Sequence, residues 1–471
     1  MYPRWLCCLA SMLAWLPLTL WSAAPCQVLV VDEENGWPVP LVELRTTHHV
    51  RLVSDNAGVI ALDLPECFQR ETWFSVEGHG YGVPADGFGY RGVRLTAEPG
   101  ATRVVKVKRE IIAKRIGRLT GTGLLAEWHK CHPDAQPASD FGVWGCDSVQ
   151  TAQHRDRLYW FWGDTTVAGY PLGIFHASGA VSGIYPLSAL EPPLKMNWKI
   201  FQNEGRPKPM AVMPGKGPTW LTGVVSLPDR HGTPHLVATF MKVEPPLEAY
   251  QWGLAVWDES QEQFVLHKVL WTKSEQHPQP PPVPEGHAVF HTTADGASWV
   301  VFGNPFPTLR CRATFEDWSD PSCWEVLPPP RRLRTVEGTW IEPHSGSLMW
   351  NEFRQRWLVI VMEKFGKPST FGEVWYLEGL SPTGPWGPAI KVLSHNNYTF
   401  YNPRWQPGLS PLSRYVFFEG TYSALFARHP EPTPRYDYNQ VLYRLDLDDA
   451  RLQPAQGEIS AQQEESEGLG M

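Results

Sequence analysis

Trp144-Gly145-Cys146-Asp147-Ser148-Val149, then Leu158-Tyr159-Trp160-Phe161-Trp162, then Gly163-Asp164, is the stretch on which the fold turns. A small and polar opening leads into one strand, and a reversal leads into an apolar second strand. The same succession returns four more times. Its openings are Leu221-Thr222-Gly223-Val224-Val225, Gly286-His287-Ala288-Val289-Phe290, Met349-Trp350-Asn351-Glu352 and Phe400-Tyr401-Asn402-Pro403. The matching second strands are His235 to Met241, Trp299 to Phe302, Trp357 to Met362 and Tyr415 to Phe418. Third strands are expected at Gly173-Ile174-Phe175-His176, Trp252 to Trp257, Leu309 to Ala313, Glu373 to Tyr376 and Asn439 to Leu445. The spacing of roughly 55–75 residues is that of a propeller blade. One blade cannot bury both of its faces, whereas blades stacked around an axis bury each face against the next.

Composition agrees with this reading. Aromatic residues make up 12% of the 471 residues, with 23 Trp, 40 Gly and 45 Pro, a mixture that favours short strands and turns over long helices. The proline runs Pro278 to Pro284 and Pro328-Pro329-Pro330 lack the donors a ladder needs and are expected between blades. The net charge of −8, without any long Lys/Arg run, argues against a nucleic-acid partner.

Met1 to Ala24 has a basic start, an apolar stretch from Trp5 to Trp21 and small residues at its end, the pattern of a secretory signal cleaved after Ala24. A secreted or periplasmic chain with no membrane attachment after cleavage is the expectation. Cys26, Cys67, Cys131, Cys146, Cys311 and Cys323 then remain. Their order along the chain suggests the disulfides Cys26–Cys67, Cys131–Cys146 and Cys311–Cys323. Between the signal and the repeats, residues 25–112 alternate apolar and polar positions between Gly- and Asn-rich turns. The opening Asp32…Asn35-Gly36…Pro38-Val39-Pro40 and the later Ser54-Asp55…Gly58 resemble the carboxypeptidase regulatory-like module, a transthyretin-type β-sandwich. The expected organisation is a signal peptide (1–24), that sandwich (25–112), the propeller (113–452) and a disordered tail (453–471), an all-β chain throughout.

The first strand of each propeller blade lines the central channel, so the polar residues at the openings should converge. They are Asp147, His287, Asn351, Glu352, Asn402 and Arg404, joined by Asp164 and Glu419 from the second-strand ends and by Trp144 beside Asp147. From Gly142 to Leu452 the blade order and these channel-facing acids resemble the five-bladed propeller glycosidases, the arabinanase, β-xylosidase, anhydrogalactosidase and levansucrase group. The resemblance implies a glycoside hydrolase acting on an oligo- or polysaccharide. It casts Asp147 as base and Glu352, or His287 as in the anhydrogalactosidases, as acid, with Asp164, Asn351, Asn402, Arg404, Trp144 and Glu419 around the sugar.

The third carboxylate of that group has no counterpart at the second opening, where Gly223 and Val224 stand. A non-catalytic propeller that binds a glycan or protein outside the cell is therefore the competing reading. Each residue also has a structural alternative. Asp147, Asn351 and Asn402 suit strand-end caps, Asp164 and Glu419 suit turns, and Glu352 lies beside Arg354 and Arg356. No spacing demands a cofactor; an axial divalent cation on His287, Asp147 and Asn402 is the one ion the arrangement would admit.

Overall fold

The computed structural model describes residues 24–135, 142–174, 176–194, 196–406, 408–409, 412–428 and 431–457. All but Ala24 of the expected signal peptide (1–24), and the expected tail from 458 onward, lie outside them. The protein is all-β. Strands Val59–Leu62, Cys26–Asp32, Thr102–Arg109 and Tyr81–Gly82 form one sheet, and Arg51–Val53, Glu43–Thr46, Glu71–Glu77 and Gly92–Thr96 form another. Alternate residues of both sheets, among them Val28, Val30, Leu44, Ile60, Phe74, Val76 and Val105, share one buried core, as two sheets facing each other require.

Five further four-stranded sheets follow, numbered I to V here. Their innermost strands are Val149–His154, Thr219–Pro228, His287–Thr292, Pro343–Asn351 and Thr399–Trp405. Each strand pairs antiparallel with the next, and hydrogen bonds run between the inner strands around a closed circuit. Gly223 N donates to Gly286 O at 2.9 Å between II and III, and Gly346 N to Asn304 Oδ1 at 2.8 Å between III and IV. Trp405 N donates to Ser347 Oγ at 2.6 Å between IV and V, and Arg404 Nη2 to Thr151 O at 2.6 Å between V and I. His154 Nδ1 and Ser226 Oγ, 2.8 Å apart, join I to II. Aromatic rings fill the gaps, with Phe161 on Phe264 at 4.9 Å and Phe306 on Trp386 at 5.3 Å.

The fourth strand of sheet V is Lys114–Arg118, which precedes sheet I in the chain and pairs with Asn439–Asp446. The two ends of the repeat region are thus sewn into one sheet. From this strand Arg115, 2% exposed, donates to Pro40 O, Leu41 O, Gly78 O and His79 O at 2.7–3.1 Å, and to the Tyr443 hydroxyl at 3.0 Å. It fastens the sandwich to the ring.

Three expectations need correction. Tyr170–Ile174 is not the third strand of sheet I. It belongs to a three-stranded side sheet with Gly145–Cys146 and Thr165–Val167, and Ser178–Ser182 takes the third place; Phe175 lies outside the described residues. Pro171 explains the choice, because it denies a backbone donor to a central position. The six cysteines are free thiols, so the expected disulfides are not formed. Cys146 is sealed in the core between sheets V and I, whereas Cys131 ends the helix Ala126–Cys131. Finally, the chain does not loosen at Gln453. A 3₁₀ turn, Ala450–Gln456, buries Leu452 and Ala455. The proline runs do fall between sheets, as expected.

Candidate functional site

A cavity of about 510 Å³ opens among sheets I, II and III. Asp147, Gln150, Thr222, Glu285, His287, Asn304 and Asn402 supply its polar lining, and Phe161, Trp162, Trp220, Met241 and Trp252 its apolar wall. That is the composition of a small-ligand pocket, apolar surface with a few convergent polar groups.

Asp147 stands where the chain passes from the side sheet into the first strand of sheet I. Its amide donates to Asp164 O at 3.1 Å, and its own carbonyl accepts from Gly163 N at 2.8 Å, so the two acid-bearing turns are clipped together. Asp147 Oδ2 accepts the Tyr401 hydroxyl at 3.0 Å, and Tyr438 donates to the same carboxyl. Burial pushes its pKa up to about 7; neighbouring Asp164 adds to the rise, and the two phenols oppose it. Gly163 is obligatory for this packing, because a Cβ there would stand 2.3 Å from Asp147 Oδ1. Asp164 accepts from the Trp220 indole at 3.0 Å, and its pKa too is raised by burial. It therefore orients a wall residue rather than touching the cavity.

Asn402 lines the cavity and donates to Ser148 Oγ at 2.6 Å. Both residues hold positive φ, +51° and +41°. Two strained non-glycine positions bonded to each other across the join of sheets V and I mark a site that the surrounding ring over-determines. Beneath them the buried Arg404 gives its guanidinium to Val149 O and Thr151 O, and so serves the floor and not the ligand. Its cross-strand partner Glu419 is fully buried, with one oxygen bonded to Gln406 and the other unpartnered. Burial lifts the Glu419 pKa to about 8 against the attraction of Arg404. His287 faces the cavity with Nδ1 buried and unpartnered. Burial, and then Arg404, hold its pKa well below the ordinary value. It is therefore a neutral imidazole near pH 7, not the imidazolium acid expected of it.

Two expected residues lie elsewhere. In the strand Pro343–Asn351 it is Ser345 that meets the pocket region, through a bond from Asn402 N at 3.2 Å. Six residues further along, about 20 Å by strand rise, come Asn351 and Glu352, in the hairpin at the opposite end. There Asn351 Oδ1 accepts Arg354 N at 2.7 Å, and exposed Glu352 accepts the Trp350 indole at 2.9 Å. Glu352 cannot share a pocket with Asp147. Trp144 stands outside the cavity lining, 54% exposed, with its carbonyl taken by Asn439. Among the described residues no three of His, Cys, Asp or Glu converge to hold a metal ion. Asp147, His287 and Asn402, the set expected for an axial cation, all line the cavity, with Asp147 bonded to Tyr401 and Asn402 to Ser148.

Glu285, Trp220 and Trp252 line the pocket without having been expected there. Glu285 stands at the mouth, its pKa raised by partial desolvation. Its signal was available, since it immediately precedes the Gly286-His287 opening.

No family model matches the chain, and no curated protein does. Among solved structures, an exo-1,5-α-L-arabinanase from a bovine ruminal metagenomic library is 10% identical, over 65% of this chain and 95% of that one, with a TM-score of 0.38. An exo-β-1,3-galactanase from Phanerochaete chrysosporium is 9% identical, over 70% and 64%, with a TM-score of 0.41. An arabinanase from Bacillus subtilis is 11% identical, over 64% and 96%, with a TM-score of 0.32. At this level of similarity the reading of the pocket rests on its own residues.

Proposed function

We propose that the protein is an exported carbohydrate-active propeller that takes a glycan end into the central pocket and hydrolyses it there. The supporting observation is a single one: a carboxyl whose pKa stands at about 7 faces a cavity of about 510 Å³ walled by Phe161, Trp220 and Trp252. Aromatic walls receive the apolar faces of sugar rings. A base titrating close to the working pH is suited to proton transfer. In this reading the Asp147 carboxylate takes a proton from the water that adds to the anomeric carbon. Glu285 gives one to the leaving oxygen as the glycosidic bond breaks, and so fills the acid role that Glu352 cannot. The competing reading, glycan binding without turnover, draws support from the second sheet, where Gly223 and Val224 stand in place of a further acid and only Leu221 and Thr222 of that opening line the cavity.

The organisation we propose is a signal peptide over 1–24, the sandwich over 25–112 as spacer, and the five-bladed ring from 113 onward. Among the described residues no helix is long and apolar enough to cross a membrane.

Release of reducing ends from a panel of plant and algal oligosaccharides tests the activity. Glu352→Gln is expected to leave the rate within about twofold of wild type, as a surface substitution remote from the pocket should. A large loss would return the acid role to the far hairpin. Gly163→Ala is expected to lower the rate about tenfold or more, the scale of one displaced charge-assisted hydrogen bond, with the circular dichroism spectrum unchanged. An unaffected rate would mean that the position of Asp147 is immaterial.

A further inference from the structure

A second cavity, also about 510 Å³, lies on the periphery of the ring between sheets III and IV. Pro328-Pro329-Pro330 forms one side of it. A short ribbon pairing Leu333–Arg334 with Trp340–Ile341 forms another, and the turn carrying Trp386 closes it. The register sets Arg334 directly opposite Trp340, so guanidinium stem and indole leave the ribbon on the same face. Trp340 is 54% exposed, and Arg332 and Arg334 are exposed beside it. Arginines of the sandwich and of sheets IV and V, such as Arg45, Arg51, Arg109, Arg354 and Arg414, are engaged by carboxylates; Arg332 and Arg334 make neither an ion pair nor a side-chain hydrogen bond among the described residues. In a chain of net charge −8, two adjacent unpaired arginines form a local positive site. A third donor is also unmatched, because the Trp386 indole N–H is buried without an acceptor. Among the described residues no carboxylate or amide side chain lines the groove.

We propose that this groove is a second binding site, independent of the central pocket, for an acidic oligosaccharide. The sugar face lies on Trp340 and its carboxylate or sulfate is held by Arg332 and Arg334. Planar guanidinium groups match either anion with paired donors. A sugar suits the lining better than an acidic peptide does. A peptide brings amide donors that need acceptors, which the side chains here scarcely offer, whereas sugar hydroxyls accept as readily as they donate. The proline wall presents a fixed surface, so little ordering opposes binding.

The test is calorimetric titration of the full chain at low salt with trigalacturonate, a sulfated carrageenan tetrasaccharide, neutral galactotriose and a synthetic peptide of residues 458–471, which carry four Glu and no Lys or Arg. At least one acidic sugar is expected to bind, and which one binds tells carboxylate from sulfate. Its affinity should fall with added salt and drop about tenfold or more in Arg332→Ala/Arg334→Ala and in Trp340→Ala, the scale of losing charge-assisted hydrogen bonds or a stacking face. Asp147→Asn should leave it unchanged, which separates this site from the central pocket. All three substituted side chains are exposed, and unchanged melting temperatures verify that the fold is intact. The proposal is overturned if neither acidic sugar binds, if binding survives the double substitution, if galactotriose binds equally well and loses that binding in Trp340→Ala, or if the peptide binds in place of the sugars.

Discussion

Asp147→Asn is expected to lower glycoside hydrolysis about 10²–10⁴-fold, the contribution of a positioned proton-transfer group, and at the same time to stabilise the protein at alkaline pH. The second effect follows from the pKa of about 7, raised by burial from the ordinary carboxylate value near 3.8. Folding favours the protonated form. The stability this contributes is fully present below about pH 4 and is lost as the pH climbs to 7 and the folded carboxyl must ionise. Glu419, with its pKa of about 8, adds to the same decline over a slightly higher window. An amide at 147 never ionises, so melting temperatures of variant and wild type should coincide near pH 4 and separate by pH 8, the variant melting higher. Thermal denaturation at the two pH values reads this directly. A variant less stable than wild type at pH 8 would show that the ionised carboxylate is the form the phenols of Tyr401 and Tyr438 hold.

Arg115→Ala is expected to cost about 3–6 kcal/mol, the scale of two lost charge-assisted hydrogen bonds. Four backbone carbonyls of the sandwich and the Tyr443 hydroxyl converge on this one guanidinium, which also lies against the rings of Tyr81 and Tyr443 at 5.1 and 5.6 Å. Removing it leaves five acceptors without their donor. Arg115→Lys should recover only part of the loss, because an ammonium has three donors and lacks the planar fork. Chemical denaturation should show a lowered midpoint. Limited proteolysis should cut first near residues 110–114, where the sandwich passes into sheet V. A loss below about 1 kcal/mol, ordinary for a surface residue, would mean that the two parts are held together by something else.

Local pattern made much of this architecture legible and left specific pieces hidden. Asp147, His287 and Asn402 lie at strand openings whose polar residues interrupt apolar runs, and all three line the cavity. The fourth inner strand misled because its pocket end, Pro343-His344-Ser345-Gly346-Ser347, is polar and looks like a loop. The apolar Leu348-Met349-Trp350 that follows looks like the beginning of a strand and is its last part. Reading it one half-strand late carried Asn351 and Glu352 to the wrong end. The fourth strand of sheet V was invisible for another reason: Lys114–Arg118 pairs with residues more than three hundred positions away, and alternation within a segment says nothing about so distant a partner. Burial likewise decided what chemistry alone could not. Arg404 and Glu419 lie buried outside the cavity lining, the guanidinium spent on carbonyls and one Glu419 oxygen on Gln406.

The pocket itself is tested most directly by calorimetric titration of wild type and Trp220→Ala with neutral arabino-, xylo- and galacto-oligosaccharides. Trp220 is the wall residue anchored by Asp164, and with Trp252 it is one of two tryptophans that sheet II contributes to the cavity. Saturable binding of at least one of these sugars, weakened about tenfold or more by the loss of one aromatic face, is the predicted result. Absence of binding by every sugar, or binding that ignores the substitution, would contradict a glycan site at the centre of the ring.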